Sequence, residues 1–305
     1  MKIAILGNGA WGSALAGLAR RHGRAVRVWG RHPKNGECKT FSSALDGAEI
    51  ILLAVPSHAM REVCRDIKPH LARNALLISV AKGIEQDTDL CMTEVISRTT
   101  GRKEVAAMSG PTFAVEVEQG IPSALVCAAA NEKWARKAQD VFHGDDFRVY
   151  TTRDVRGVEL GGALKNVMAI AAGVCAGLGL GDNTLAALIT RGLAELSRVG
   201  TALGGKARTF YGLSGVGDLI LTCSSSKSRN RRVGEALGRG KDLDTILRTL
   251  RGTAEGVRTA RSVHQILEKK KLEAPILRAV YAVLYEGKPA PLAVRELMGR
   301  EPGKE

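Results

Sequence analysis

Aromatic side chains are scarce, at 4% of the 305 residues. None interleaves with the densest basic runs, which are Lys227–Arg232, Lys269–Lys271 and the group Arg20, Arg21 and Arg24. A groove that stacks single-stranded nucleic acid on aromatic rings is therefore not indicated. Cysteine occurs six times, at Cys38, Cys64, Cys91, Cys127, Cys175 and Cys223, but no two form a C-x-x-C pair and no histidine cluster accompanies them. That spacing argues against a zinc site or a disulfide framework, so no metal is expected. It leaves reduced thiols in a cytoplasmic protein as the simple reading. The first residues enter a strand-like run with no basic region, apolar core and cleavage site, so no secretory leader is expected. The longest uncharged stretch lies between Lys165 and Asp182. It is too short and too glycine-rich for a span of about 20 helical residues and reads as a buried helix.

Basic charge and glycine are abundant. The chain carries 45 Lys and Arg against 31 Asp and Glu, a formal net charge of +14. Such a surplus favours an anionic partner, whether nucleic acid, anionic lipid or a phosphorylated small molecule; a solvated basic surface fits equally. The 35 glycines suggest tight turns and close approach of backbone to something. The length suggests two domains, at about 100–200 residues each.

Along the first half, short apolar runs alternate with helical patterns. Lys2–Leu6, Ala25–Trp29, Glu49–Val55, Ala75–Val80 and Val105–Ser109 read as strands. Pro56 ends the third of these, a continuous apolar run of the kind buried on both faces. Trp11–Arg21 and Thr40–Leu45 read as helices. Alternating strands and helices imply βαβ units with right-handed crossovers, hence an open, doubly wound, mostly parallel sheet. Beyond about Tyr150 the texture changes. Thr152–Gly181, Asp182–Leu203, Arg231–Leu237, Leu243–Leu250, Thr253–Lys269 and Pro275–Tyr285 all carry helical patterns. The expected fold is thus α/β: a Rossmann-like dinucleotide-binding domain over residues 1–150, followed by an all-helical substrate domain over 151–305. The polar tail Arg300–Glu305 is expected to fray.

Gly7-Asn8-Gly9-Ala10-Trp11-Gly12 matches G-x-G-x-x-G. The match follows a strand and opens a helix, which is the context a dinucleotide site requires. Gly7 would permit the tight turn, Gly9 the approach of a pyrophosphate, and Gly12 close helix–strand packing. The helix start then offers free N–H groups and its positive dipole end to the anion. NAD-selective sites place an acid about 20 residues further on, against the ribose 2′-hydroxyl. Here the second strand ends in Trp29-Gly30-Arg31-His32, and no Asp or Glu follows before Glu37. Arg31 is placed to pair with a 2′-phosphate, so NADP is expected to be accepted as well as NAD; the competing reading has Arg31 stack on adenine without selecting.

Lys165 and Asn166 lie in an apolar helical stretch, Glu159–Asn166. A buried lysine is costly without a partner, and burial lowers its pKa toward values that suit proton transfer from a hydroxyl. A surface lysine that snorkels out of an apolar face fits the same residues.

Several motifs occur in one order: Gly7–Gly12 with Trp11, Ala81–Glu85, Ser109–Ala114, Glu159–Asn166, Gly215–Leu219, Thr222-Cys223, Ser228–Arg232 and Glu255–Val257. In these the chain resembles the NAD(P)-dependent glycerol-3-phosphate dehydrogenase family, bacterial type, along nearly its whole length. The resemblance implies interconversion of sn-glycerol 3-phosphate and dihydroxyacetone phosphate, with a product that feeds phospholipid synthesis. It implies Lys165 as the proton-transfer residue and Lys82 as a second lysine at the reacting carbon. Asp218, Asn166 and Thr222 match polar residues that order substrate and proton path. Ser228, Arg229 and Asn230 match the phosphate-binding segment, and Gly110 and Thr112 the substrate loop. Ala114, Arg229, Glu255, Lys82 and Trp11 match cofactor contacts, to which Arg31 and His32 are added at the end of the second strand. The chemistry is coherent: neighbouring lysines lower one another's pKa, one takes the hydroxyl proton, and the other stabilises developing negative charge. Asp218 would orient a lysine, and the planar fork of Arg229 suits a phosphate. Without the resemblance, Ser228–Arg232 reads as a solvated basic loop.

Two departures stand out. A segment of some tens of residues that such sequences carry after the second strand is missing, leaving only His32 to about Lys39 before Thr40–Leu45. Thr253-Ala254 also stands where a more hydrophobic pair is usual. Two competing functions use part of the same residues. A related two-domain hydroxy-acid dehydrogenase would explain Lys165-Asn166 but not the Asp218 and Arg229 segments. A non-catalytic dinucleotide sensor that binds nucleic acid through its basic surface would show a steep salt dependence and no turnover; keeping both lysines with Asp218 speaks against it, and no nucleic-acid partner is expected. Gly161-Gly162 and the glycines of 173–181 read as close helix packing, which would also suit a helix-rich homodimer interface.

Overall fold

The computed structural model describes residues 1–250 and 252–301. Seven strands form one sheet: β1 (Lys2–Leu6), β2 (Ala25–Trp29), β3 (Ile50–Leu53), β4 (Leu76–Ser79), β5 (Val105–Ser109), β6 (Ser123–Ala129) and β7 (Phe147–Thr152). Their order is β2-β1-β3-β4-β5-β6-β7. Every neighbouring pair is parallel except β5 with β6. The five strands expected from sequence are present, and β6 and β7 extend them. The β6 sequence SALVCAA is rich in small residues rather than β-branched ones, and β7 exposes alternate residues along the sheet edge, so β6 has little β-branched character to mark it and β7 lacks a continuous apolar run.

Alternation along each buried strand sends residues to opposite faces. Ile3 and Ile5 pack with Ala14, Leu15, Leu18, Ala138 and Phe142 on one face. Ala4, Leu6, Ile51 and Leu53 pack with Met60, Val63, Ile67 and Val95 on the other. The helices that cover these faces are α1 (Ala10–Arg21), α2 (Phe41–Leu45), α3 (Met60–Ile67), α4 (Met92–Thr100), α5 (Ala114–Glu118) and α6 (Glu132–Phe142). Chain order reverses beside β1, which pairs with β2 on one side and β3 on the other. A doubly wound sheet opens a crevice at that point, outside the carboxyl ends of its strands.

After β7 the described chain is helical: α7 (Val155–Gly177), α8 (Asp182–Ala202), α9 (Ala207–Phe210), α10 (Asp218–Ser224), α11 (Arg229–Gly238), α12 (Leu243–Thr249), α13 (Glu255–Lys270), α14 (Pro275–Tyr285) and α15 (Ala290–Met298). A π-helical turn, Leu213–Gly217, leads into α10. Of the polar tail expected to fray, 302–305 lie outside the described residues.

The centre of this half is α7. Asp154 caps its start by accepting the Gly157 N–H at 3.0 Å. By length and composition α7 could cross a bilayer, but 83% of its most apolar window is buried inside the protein, as expected of a core helix. Glycines let α11 lie directly on its backbone. A Cβ on Gly173 would stand 1.9 Å from the Arg231 carbonyl oxygen, and one on Gly234 would stand 1.9 Å from that of Ile170. On the side toward the sheet, a Cβ on Gly162 would stand 2.6 Å from Ser109 Oγ and 3.3 Å from Lys82 Cγ. The α7 glycines are thus packing residues, and they let both a strand end and the start of α11 reach one stretch of α7.

Candidate active site

A cleft of about 560 Å³ runs from the Gly7–Gly12 turn to the starts of α11 and α13. At its first end the wall is backbone. Gly7 has φ +118°, and a Cβ there would meet the Ala54 carbonyl oxygen at 2.4 Å. A Cβ on Gly12 would stand 1.9 Å from the Gly7 oxygen. Gly9 is different: nothing lies within 4 Å of the position its Cβ would take. Gly9 is also the N-cap of α1, with no side chain capping the helix and no acid in its first turn. The orphan N–H groups and positive dipole end therefore remain available to an anion. These residues fit a dinucleotide pyrophosphate.

Arg31 brings a positive charge to this end of the cleft. Trp29, Arg31, Pro56, His58, Ala59 and Val63 line it. Burial, then the charge of Arg258 and more weakly that of Arg31, hold the His58 imidazole below its ordinary value, against Glu255 and Glu62. The shortened segment folds tightly, with the Cys38 N–H donating to the Val28 carbonyl at 2.8 Å. That turn brings Glu37 to the glycine-rich loop, where the Asn8 amide donates to its carboxylate at 2.8 Å and to the His32 carbonyl at 2.8 Å. His32 is exposed and is not a lining residue.

At the second end the wall is made of side chains. Asp218, at the start of α10 and 1% exposed, accepts Lys165 Nζ on Oδ1 at 2.8 Å and Lys82 Nζ on Oδ2 at 2.6 Å. Lys165 Nζ also donates to Thr222 Oγ1 at 2.6 Å, and the threonine hydroxyl donates to the Asp218 carbonyl at 2.6 Å. Lys82 Nζ donates further to the Gly110 carbonyl at 3.1 Å. Two ammonium groups thus share one carboxylate, leaving one net positive charge. Burial pushes Lys165 down to about 8, helped by Lys82 and opposed by Asp218. Burial alone would raise Asp218; Lys165 and Lys82 outweigh it and hold the carboxyl below its usual range.

A hydrogen-bonded chain ties this cluster to the starts of α11 and α13. Asn166 Nδ2 donates to the Lys82 carbonyl at 3.2 Å, Asn230 Nδ2 to Asn166 Oδ1 at 2.9 Å, and the Gly256 N–H to Asn230 Oδ1 at 2.9 Å. Glu255 reaches back to the sheet, accepting the Ser57 N–H at 2.7 Å and the Lys82 N–H at 3.4 Å. Ser228 caps α11, its hydroxyl accepting the Arg231 N–H at 3.2 Å. Arg229 donates to the Thr253 carbonyl at 3.1 Å, so the departing pair at 253–254 still serves as an anchor through its backbone.

Of the sequence candidates, Gly7, Asn8, Gly9, Ala10, Trp11, Gly12, Arg31, Lys82, Thr112, Ala114, Lys165, Asn166, Thr222, Ser228, Arg229, Asn230 and Glu255 line this one cleft. Asp218 stands behind the two lysines, and Gly110 contributes its carbonyl. A Cβ on Gly110 would press on the Leu125 backbone at 2.7 Å. Lys227, Phe113, His58 and Thr253 also line the cleft and were not among the site candidates; Phe113 stood inside a motif, Thr253 stood out as a departure, and Lys227 was visible only as part of a basic run. The lining includes Arg31, Lys82, Lys165, Lys227 and Arg229, while Glu255 is the one acid among the described lining residues. The arrangement suits two anions, one on the α1 terminus and one beside α11, with a proton-carrying lysine between them.

Comparison with known proteins agrees with this geometry. The family model described as NAD-dependent glycerol-3-phosphate dehydrogenase C-terminus matches residues 154–295, and its N-terminus counterpart matches 2–39 and 36–135. The glycerol-3-phosphate dehydrogenase (NAD(P)+) of Moorella thermoacetica is 44% identical over 321 residues, covering 98% of this chain and 96% of that protein. The protein of the same name from Koribacter versatilis is 45% identical, covering 98% and 97%. The crystal structure of glycerol-3-phosphate dehydrogenase from Coxiella burnetii superposes with a TM-score of 0.93 at 37% identity, covering 98% of this chain and 99% of that one. A ketopantoate reductase from Ralstonia eutropha shares the fold alone, with a TM-score of 0.60 at 18% identity and coverage of 98% and 100%.

Proposed function

Because the chain belongs to the NAD-dependent glycerol-3-phosphate dehydrogenase family, we propose that its cleft interconverts sn-glycerol 3-phosphate and dihydroxyacetone phosphate, with Lys165 carrying the proton. The observation that carries this reading is the pair of lysines held on the two oxygens of one buried carboxylate. The bound nicotinamide dinucleotide supplies or accepts the hydride at C2. In reduction, Lys165 gives its proton to the C2 oxygen; in oxidation, neutral Lys165 removes the hydroxyl proton. A Lys165 brought to about 8 exchanges that proton near neutral pH far more readily than an ordinary lysine. Lys82 stands beside the same oxygen and stabilises the negative charge that develops there. Asp218 positions both ammonium groups, and Thr222 fixes the Lys165 end. The α11 start, with Ser228, Arg229 and Asn230, takes the substrate phosphate, and Gly110 and Thr112 border the substrate.

The cofactor reading extends to the 2′-position. The cationic adenosine side, with Arg31 lining it and Arg258 near His58, favours NADP(H) as well as NAD(H). Residues 1–150 bind the dinucleotide and 151–305 the substrate; what supports that division is that β7 ends at Thr152 and α7 is capped by Asp154. The same reading takes the protein as a cytoplasmic homodimer without a nucleic-acid partner, supplying glycerol phosphate for phospholipid synthesis. Five of its basic side chains line the cleft, which supports small anions as the ligands.

The test is absorbance at the reduced-nicotinamide band, with dihydroxyacetone phosphate and with NADH and NADPH in parallel, for the wild type and Lys165→Ala. Oxidation by the wild type, lost in the variant while dinucleotide binding persists, is the expected result. No oxidation with either cofactor, from folded protein that binds dinucleotide, would overturn the reaction and leave a hydroxy-acid substrate as the alternative.

A further inference from the structure

Lys227 lines the cleft and has no part in the chemistry described above. It directly precedes Ser228, Arg229 and Asn230 at the start of α11. Its ammonium lies 2.5 Å from Glu116 Oε1 and 5.8 Å from the centroid of the Phe113 ring. Phe113 lines the cleft and Glu116 stands one turn further along, so the pair joins the α5 segment to the α11 start. The Lys227 side chain is 52% exposed and that of Glu116 29%. An ion pair this exposed contributes little to stability. It does hold a mobile cation beside the place where a phosphate would dock.

We propose that Lys227 is a specificity-determining residue for the phosphorylated substrate, held on Glu116 until a phosphate arrives and then transferred to it. The inference rests on the glycerol-phosphate reading. A phosphate monoester carries roughly two negative charges near neutral pH, against one on a carboxylate. It outcompetes Glu116 for a point charge on a flexible stem. Arg229 acts differently: it is anchored on the Thr253 carbonyl and presents a fixed planar fork. One cation therefore orients the phosphate and the other follows it, and the transfer of Lys227 draws the side chain over the docked substrate.

The test is initial-rate kinetics on Lys227→Gln and Glu116→Gln in the full-length protein. Lys227→Gln should raise KM for dihydroxyacetone phosphate about tenfold, the loss of one exposed charge-assisted hydrogen bond, with a much smaller change in kcat and in KM for the dinucleotide. Glu116→Gln should move the same KM the other way, down by about two- to threefold, because the competing carboxylate is gone. Inorganic phosphate should inhibit the wild type more strongly than Lys227→Gln. Opposite signs in the two variants support the transfer. The same sign in both would mean a structural latch, a raised dinucleotide KM would mean a cofactor residue, and no change in either would mean an idle surface pair; each overturns the proposal. Were the wild type to show no turnover, the reaction reading would fall, and calorimetric binding of inorganic phosphate to wild type and Lys227→Gln would still decide the role of Lys227.

Discussion

The two ends of the cleft are built from different materials. The dinucleotide end is six consecutive residues whose working parts are backbone N–H groups and missing side chains. The substrate end is a cluster of buried charges drawn from separate elements, with Lys82 and Asp218 lying 136 positions apart in sequence. A backbone site keeps its shape through close steric contacts, of Gly12 with Gly7 inside the turn and of Gly7 with Ala54 on the neighbouring strand end. A charge cluster depends on its shared member, because without Asp218 both ammonium groups lose their counter-charge.

The largest expected effect tests that contrast at its charged end. Asp218→Asn leaves two ammonium groups in a buried setting without a counter-charge. It should destabilise the fold by about 3–5 kcal/mol and lower kcat by about 10²-fold or more, since the proton carrier is no longer held. Denaturant unfolding and steady-state rates measure the two; an unchanged unfolding midpoint would show that the cluster relaxes into water and is not the rigid device described here.

At the other end, two glycine substitutions should separate shape from binding. Gly12→Ala puts a Cβ against the Gly7 carbonyl and should destabilise by about 1–3 kcal/mol through overpacking. Gly9→Ala has open space and a backbone any residue adopts, with φ −68°. It should unfold like the wild type while raising KM for the dinucleotide about tenfold, the effect of a methyl group where backbone must approach an anion. Equal stability losses in both would erase the distinction.

The pH profile is a gentler probe of the lysine pair. With Lys165 brought to about 8, its protonated fraction falls as pH rises through that value. The reduction rate should fall across about pH 8 and the oxidation rate should rise, with one shared apparent pKa. A shared pKa near that of a free lysine, 10.5, would contradict the burial that sets the shift.

A last effect lies nearly two turns before the lysine on α7. Burial raises the Glu159 carboxyl to about 7 from 4.5, although Thr93 donates to it from both its N–H and its hydroxyl. A folded-state pKa above the unfolded one means the native state holds the proton more tightly. That contribution to stability is complete below about 4.5, is lost as pH rises toward about 7, and is flat above. Relative to Glu159→Gln, the wild type should therefore lose thermal midpoint between those values. Parallel curves for the two proteins would show that the carboxyl ionises at no cost in its pocket.

The contrast between the ends also explains what sequence could show. The Gly7–Gly12 site was legible because its spacing is its geometry. Four central strands were legible because a strand buried on both faces must be apolar throughout, and β6 and β7 were not, because small residues and an exposed edge blur the pattern. Lys165 by itself was ambiguous between a buried acid–base group and a snorkelling side chain, and the motif order favoured the buried group before any contact was known. The position of Glu37 had no local signal: only the tight turn in the shortened segment brings it to Asn8. Lys227 looked like one more residue in a basic run, since its partner Glu116 lies 111 positions away.

Local order along the chain marked the first five strands, the anion-binding turn and the apolar character of α7, since each follows from neighbours within a few residues. Tertiary structure alone decided that one carboxylate holds two lysines, that Asn166 links Lys82 to Asn230, and that α11 lies against α7 closely enough to bring its first turn to the cleft. Those are long-range contacts among buried polar groups, and their energies depend on partners and surroundings that no stretch of sequence contains.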